Sequence, residues 1–210
     1  MSLKSLLSKP FADFINLKIK RWSGNPFDAQ DKVFHKLLSV GKNTGFGREH
    51  HFGEIKSYQD FKEAVPVRDY EQLKSYIDRI ISGENDVLWK GRPLYFCKTS
   101  GTTSGAKYIP ITNDSMPNHT TSARNALLSY IAETGKTNFI NGKMIFLQGS
   151  PELNDLGGIP VGRLSGIAAN HVPAYLLRNR MPTYATNCIP DWEKKVDAIV
   201  EETLKENMTL

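Results

Sequence analysis

The sequence predicts an α/β fold, a mixed sheet flanked by helices. Three observations carry that expectation. Apolar runs near residues 94–99, 108–112 and 143–148 are too short for helices and cannot all be satisfied in a helix bundle. Segments with apolar residues at helical spacing lie before, between and after them. The run Lys143-Met144-Ile145-Phe146-Leu147-Gln148-Gly149 is continuous rather than alternating, which points to a strand buried on both faces, as in a parallel sheet.

In chain order, Phe11, Phe14, Ile15, Ile19 and Trp22 form one helical stripe, with Lys18, Lys20 and Arg21 beside it. A basic amphipathic helix can lie on a membrane, but such a stripe more often packs on its own domain, and packing is the expectation here. Asn25-Pro26 opens the next helix, with Asn as cap and Pro at the first position, and Gly41 is placed to end it in the left-handed conformation. Thr44–Phe52 reads as a loop. Ser57-Tyr58-Gln59-Asp60 starts a short helix that Val65-Pro66-Val67 breaks. Asp69 caps a longer helix through Leu73, Tyr76, Ile77, Ile80 and Ile81, closed by Gly83. Val87-Leu88-Trp89 reads as extended.

Leu94-Tyr95-Phe96-Cys97 and Tyr108-Ile109-Pro110-Ile111-Thr112 read as strands. Asn113 or Asp114 caps a helix with Pro117 in its first turn and Leu127, Leu128 and Ile131 on its apolar side, ended by Gly135. Leu156–Ser165 reads as glycine-rich loop and Gly166–Arg178 as helix. Ile189-Pro190-Asp191 opens a last helix with Trp192, Val196, Ile199, Val200 and Leu204 on one face. No strand is expected after it.

The chain has 210 residues, 40% of them hydrophobic and 23% charged, with 16 Gly and 11 Pro. The expectation is a single region over residues 1–210, one domain or part of a larger one. No apolar run approaches the ~20 residues of a membrane span, and the start lacks the apolar core of a secretory leader. Cys97 and Cys188 are too few and too far apart for a disulfide framework or a zinc site, so a cytoplasmic home is expected. The net charge of +5 sits in residues 1–56, where ten Lys and Arg face five Asp and Glu. Without a recognisable nucleic-acid-binding motif this reads as a solvated basic face, so neither nucleic acid nor membrane is expected as a partner.

Between the two central strands lies Thr99-Ser100-Gly101-Thr102-Thr103-Ser104-Gly105-Ala106-Lys107, with five hydroxyls, two glycines and a lysine. A Ser/Thr/Gly run between strands is first of all a turn. The same run suits an anion: Gly101 and Gly105 let the backbone come close to a phosphate, successive N–H groups form a nest, and Lys107 adds a positive charge. It lacks Walker spacing, because Gly101 and Gly105 are four apart, Ala106 separates Gly105 from Lys107, and a strand follows instead of a helix. Plain turn and phosphate clamp both remain open on composition.

The string from Ser100 to Lys107 resembles the phosphate loop of the adenylate-forming superfamily. With Ser104 and the continuation Tyr108–Thr112, it is most similar to the auxin-responsive promoter family of acyl-acid amido synthetases. The stretch upstream fits the same family: Phe46-Gly47-Arg48-x-His50, Phe61-x-x-x-Val65-Pro66-Val67-x-x-Tyr70-Glu71, Gly83-Glu84 and Leu88-Trp89-x-Gly91. The resemblance covers about residues 44–112. It implies the incomplete N-terminal part of an adenylate-forming large domain, with two further family motifs, one of them ribose-binding, downstream of Leu210. It also implies ATP and Mg2+, a carboxylic acid activated as its acyl-adenylate, and an amine or amino acid as acceptor. Thr99, Ser100, Gly101, Thr102, Thr103, Ser104, Gly105 and Lys107 become candidate ATP-phosphate ligands.

No catalytic side chain or resident metal site is expected, because the substrate carboxylate is itself the nucleophile. Arg124, on the helix after the loop, could hold that carboxylate through a bidentate contact or simply face solvent. His50 and His51 read as polar loop residues facing solvent, His119 and His171 as structural, and Arg48 and Arg68 as structural ion-pair residues. Two other classes stay open: a different nucleotide-binding protein, and a non-catalytic α/β interaction domain.

Overall fold

The computed structural model describes residues 3–100 and 105–210. Along the chain run α1 (Leu3–Ser23), α2 (Pro26–Gly41), α3 (Gly45–Glu49), α4 (Tyr58–Ala64), α5 (Tyr70–Ile81), β1 (Tyr95–Lys98), β2 (Tyr108–Ile111) and α6 (Met116–Thr134). After a 3-10 turn at Asn138–Asn141 come β3 (Met144–Ile145), β4 (Asn154–Leu156), β5 (Ile159–Gly162), α7 (Leu164–Ala169), α8 (Ala174–Leu177), β6 (Arg180–Met181), α9 (Tyr184–Asn187) and α10 (Trp192–Thr203). The chain divides into two compact units. One holds residues 22–113 and 154–161, the other residues 1–21, 114–153 and 162–210.

The first unit is built on a four-stranded sheet in the order β2-β1-β5-β4. β1 and β2 are antiparallel, with Phe96 opposite Pro110 and Lys98 opposite Tyr108. Pro110 has no N–H to donate and is tolerated because β2 is an edge strand. Tyr76, Ile77 and Ile80 on α5 recur at helical spacing and close over Phe96, Ile159 and Val161 with Val87, which forms the core of this unit. The helix starts where the sequence places it: the Asp69 carboxylate accepts from the Gln72 amide at 2.9 Å, and the Gln72 side chain accepts from the Asp69 amide at 2.9 Å. Ser57 and Asp60 make the same reciprocal box for α4. Gly83, at φ +99°, ends α5 as expected.

Four expectations for this unit need correction. Thr44–Phe52 is not all loop: Thr44 Oγ1 accepts from the Gly47 amide at 3.0 Å and nucleates α3. Gly41 is not left-handed. Its buried position faces Phe52, whose ring would lie 3.1 Å from an added Cβ. Val87–Trp89 is a series of bends, its carbonyl at Val87 taken by the Phe46 amide at 2.9 Å. Leu156–Ser165 opens with a hairpin, β4 and β5 joined by Gly157 and Gly158 at φ +62° and +75°. A two-residue turn with both residues at positive φ matches the strand twist, and the Gly-Gly pair was its signal.

In the second unit, α1 lies against α6. Ala12, Leu128 and Ile131 are buried, with Ile15, Ala132 and Phe139 around them. Ser5 Oγ and Thr137 Oγ1 are 2.5 Å apart, and Lys9 Nζ donates to the Ala132 carbonyl at 3.1 Å. The helix begins at Leu3, earlier than the stripe suggested, and runs through Pro10. The buried face is the one carrying Ser5, Ala12 and Ile15. Phe11, Phe14 and Trp22, expected to pack, are 46%, 52% and 58% exposed.

β3 pairs in parallel with β6, as the continuous apolar run suggested, but the strand is only two residues long. Burial on both faces is not found, since Leu147 is exposed. Gly166–Arg178 is two short helices, broken at Asn170–Pro173. In α10, capped by Asp191 accepting from the Lys194 amide at 2.9 Å, Ile199 is buried while Trp192, Val200 and Leu204 are exposed. The residue buried one turn before Ile199 is Lys195, whose ammonium donates to the carbonyls of Asn187 at 2.7 Å and Gln148 at 3.3 Å. Burial lowers the pKa of this lysine. After α10 the backbone does rejoin a strand: Lys143 bridges Met208 in parallel, and the Ile145 amide donates to the Leu210 carbonyl at 2.8 Å.

Candidate functional site

The candidate loop connects Lys98 of β1 to Tyr108 of β2, at the turn end of their hairpin. The Thr99 amide donates to the Lys107 carbonyl at 3.0 Å, extending the ladder by one pair. The return bond is replaced: the Lys107 amide donates to Thr99 Oγ1 at 3.3 Å. Thr99 and the Lys107 backbone therefore clamp the loop shut. Ser100 and Gly105 are exposed above this clamp. Gly101, Thr102, Thr103 and Ser104 lie outside the described residues. Gly105 has φ +82°, where a residue without a Cβ is at home.

Lys107 has no carboxylate within ion-pair distance among the described residues. Its ammonium stands 5.7 Å from the ring centroid of Tyr70, at the first turn of α5. The Tyr70 hydroxyl accepts from the Tyr108 amide at 2.9 Å. Sequence reasoning singled out Tyr70 only as part of a spaced pattern, and the hairpin contact was not foreseen. Nothing in local spacing places residue 70 beside residue 108.

Beside α5 lies a polar network. The Tyr76 hydroxyl donates to Glu49 at 2.5 Å, and Arg79 reaches Glu49 at 3.1 Å and Glu84 at 2.6 Å. The hydrogen bond from Tyr76, helped by Arg79, lowers the Glu49 pKa, while burial and then Glu49 raise that of Tyr76. His50 is buried, not a surface residue. One ring nitrogen, Nδ1, lies 2.9 Å from the Ala64 carbonyl and the other, Nε2, 2.8 Å from Arg68 Nη1. The carbonyl requires the proton on Nδ1, so Nε2 accepts from Arg68. His50 is thus fully used in joining α3 to the end of α4. Arg68 is structural, but its partners are His50 and the Phe46 ring rather than a carboxylate, and Arg48 donates to the Asn43 carbonyl. His51 is exposed, 3.8 Å from Glu54.

Arg124 belongs to the other unit. It is exposed on α6, with Nε and Nη2 donating to Asn125 Oδ1 at 3.3 and 3.1 Å. That contact is with its own sequence neighbour, leaving the guanidinium on the helix surface. Among the described residues no group of three or more His, Cys, Asp or Glu could hold a metal. No helix among them is long and apolar enough to cross a membrane.

A model of the GH3 family N-terminal domain matches residues 17–191. The chain belongs to the GH3 family. This bears out the resemblance drawn from the loop and the upstream pattern. Among curated relatives of this GH3 chain, the indole-3-acetic acid-amido synthetase GH3.15 of Arabidopsis thaliana is 40% identical over 89 residues, 41% of this chain and 15% of the relative. The jasmonoyl-L-amino acid synthetase JAR4 of Nicotiana attenuata is 24% identical over 136 residues, 63% of this chain and 23% of the relative. The chain thus spans less than a quarter of either. A solved GH3.15 acyl acid amido synthetase superimposes with a TM-score of 0.64 at 23% identity, over 84% of this chain and 30% of that one. Its complex with 2,4-DB gives 0.61 at 26% identity, over 76% and 28%. The α/β fold, with both antiparallel and parallel strand pairs, is that of part of a GH3 amido synthetase.

Proposed function

We propose that this chain is the N-terminal part, residues 1–210, of an ATP-dependent acyl-acid amido synthetase, and that it supplies the phosphate-binding loop. The observation that carries the reading is the Ser-Gly-Thr-Thr-Ser-Gly-Ala-Lys string of a GH3 chain, set on a hairpin whose lysine has no protein carboxylate beside it among the described residues. A loop kept only for turning would need neither five hydroxyls nor an ammonium without a carboxylate partner among the described residues.

The reaction has two steps. The substrate carboxylate attacks the α-phosphorus of ATP, forming the acyl-adenylate and releasing pyrophosphate. The amine of the acceptor then attacks the acyl carbon, forming the amide and releasing AMP and a proton. Both reactants of the first step are anions, so charge must be neutralised before the phosphorus is approached. Amides and hydroxyls of Ser100–Gly105, with the Lys107 ammonium, hold the β- and γ-phosphates. Thr99 contributes by clamping the root of the loop. Mg2+ accompanying the nucleotide would supply further positive charge to the triphosphate, with no carboxylate cluster of the described residues needed to hold it. Arg124 is assigned to the substrate carboxylate, which it can grip once its fork leaves Asn125. No protein nucleophile is needed. The acid is small, the acceptor is an amine such as an amino acid, and the setting is the cytoplasm, which suits two free cysteines.

Pyrophosphate exchange by the full-length gene product, with a panel of aryl and alkyl acids, tests the reading. Thr102→Ala or Thr103→Ala should slow exchange by about tenfold to a thousandfold, the range for loss of one transition-state donor. Unchanged rates at unchanged folded stability would remove the loop from the site. The isolated 210-residue chain should not exchange, because the ribose and adenine contacts are assigned to a later part of the enzyme. Full-rate exchange by the chain alone would refute that division.

A further inference from the structure

We propose that Tyr70 is the positioning residue of the phosphate loop, fixing both the strand that leaves the loop and the direction of the Lys107 ammonium. The inference rests on the phosphate-loop reading above and adds a residue outside the loop.

Two contacts of one side chain carry it. Bonded and non-bonded pairs alternate along an antiparallel ladder. Thr99 bonds to Lys107, so the next pair, Lys98 opposite Tyr108, exchanges no bonds. The Tyr108 amide therefore points off the open edge of β2, and the Tyr70 hydroxyl accepts it at 2.9 Å. The ring of the same residue carries the Lys107 ammonium at 5.7 Å from its centroid.

Tyr70 is itself held. It is half-buried against the core beside Leu73, at the first position of a helix whose start is fixed by the Asp69–Gln72 box and whose inner face is buried at Tyr76, Ile77 and Ile80. The loop thus leaves from a strand inside the sheet and returns onto a helix anchored in the core.

The chemistry of the contact matters. A carboxylate beside Lys107 would orient it but would compete with phosphate for its protons. An aromatic face attracts the cation and takes up none of its N–H donors in hydrogen bonds to oxygen. The ammonium is ordered before the nucleotide arrives, and part of the entropy of fixing a long side chain is removed from the binding step. The hydroxyl does the corresponding work for the backbone.

The test is ATP-dependent pyrophosphate exchange by the full-length product, reading KM for ATP and kcat separately, with thermal unfolding as a check on folding. Tyr70→Leu removes ring and hydroxyl, Tyr70→Phe the hydroxyl alone, and both are combined with Lys107→Ala. Lys107→Ala should raise the KM for ATP about tenfold or more. Tyr70→Leu should raise it about threefold to tenfold with kcat nearly unchanged, and Tyr70→Phe by less, since the ring remains. Tyr70→Leu should have little further effect on KM in the Lys107→Ala background. A purely structural tyrosine would lower the active fraction, and so kcat, while leaving KM alone. That result overturns the proposal, as does a full additive effect in the double variant. If Lys107→Ala itself leaves KM unchanged, the assignment of Lys107 to the phosphates falls, and this inference with it. If Lys107→Ala raises KM and Tyr70→Leu does not, the loop reading stands and Tyr70 has no positioning role.

Discussion

Replacing Gly105 distinguishes two ways in which a glycine can serve an anion loop. At φ +82° an L-residue is strained, and among the described residues no atom lies within 4 Å of an added Cβ. Among the described residues the penalty therefore comes from the backbone conformation and not from a clash. A residue with a Cβ loses about 1–2 kcal/mol in this region. That reduces the population of the competent loop, and hence the apparent affinity for ATP, about fivefold to thirtyfold. Asparagine tolerates positive φ better than alanine, and β-branched valine is worst. The expected order of KM for ATP is Gly105 below Asn, then Ala, then Val. If instead the glycine mattered only by letting phosphate approach the backbone, the bulkier asparagine would be worse than alanine. The assay is pyrophosphate exchange by the full-length product at fixed salt, with denaturant unfolding alongside to show that the global fold is within about 1 kcal/mol of the parent. Asparagine worse than alanine refutes the backbone argument. A valine variant with the parent KM refutes any role for the glycine.

Two further outcomes follow from the hairpin and from the network on α5. Gly157→Ala combines φ +62° with a Cβ 2.2 Å from the Ile81 carbonyl oxygen, so it should cost about 2 kcal/mol or more in urea unfolding; a loss below about 0.5 kcal/mol contradicts the close approach. The Glu49 carboxyl is held below its ordinary pKa by Tyr76 and Arg79, so its stabilising effect is full above the usual carboxylate range and fades as pH falls through the lowered value. Wild type should therefore exceed Glu49→Gln by under about 1 kcal/mol at neutral pH, small because the pair is solvent-exposed, with the gap closing in acid; a gap independent of pH argues against the linkage.

Where local chemistry decides the structure, the sequence was sufficient. Asp69, Ser57 and Asp191 cap helices because their carboxylate or hydroxyl meets an amide three residues on, and that geometry is written in a four-residue window. The strands either side of Thr99–Lys107 were legible from apolar residues bounded by a turn-forming run. Failures came where a neighbour remote in sequence decides. Phe11, Phe14 and Trp22 keep helical spacing, yet the face that packs is the one with Ser5 and Ala12, since small residues let α1 lie close to α6. Lys195 is buried because two free carbonyls converge on it, which no periodicity reveals. The candidate site was half legible: its hydroxyls and lysine were plain, but the tyrosine under the lysine was not, because it lies on a separate element far upstream. The Gly157-Gly158 hairpin was missed for another reason, as Gly157, Gly158 and Gly162 together suggested irregular chain.

The sheet beneath the loop is stitched from chain segments made at different times. β1 and β2 leave the ribosome well before β5, and residues 114–153, which belong to the other compact unit, are synthesised between them. Until residues 159–162 emerge, β1 has one side of its ladder open and Phe96 lacks the cover of Ile159 and Val161. At elongation rates of about 5–20 residues per second this interval lasts seconds, longer than a hairpin needs to close. The β1–β2 hairpin, which carries the proposed phosphate loop, can therefore form early, while the core that covers Phe96 arrives late. A nascent chain stalled near residue 150 would carry a closed β1–β2 hairpin on an unfinished core. It would depend on chaperones or on the speed of translation to stay out of intermolecular strand pairing.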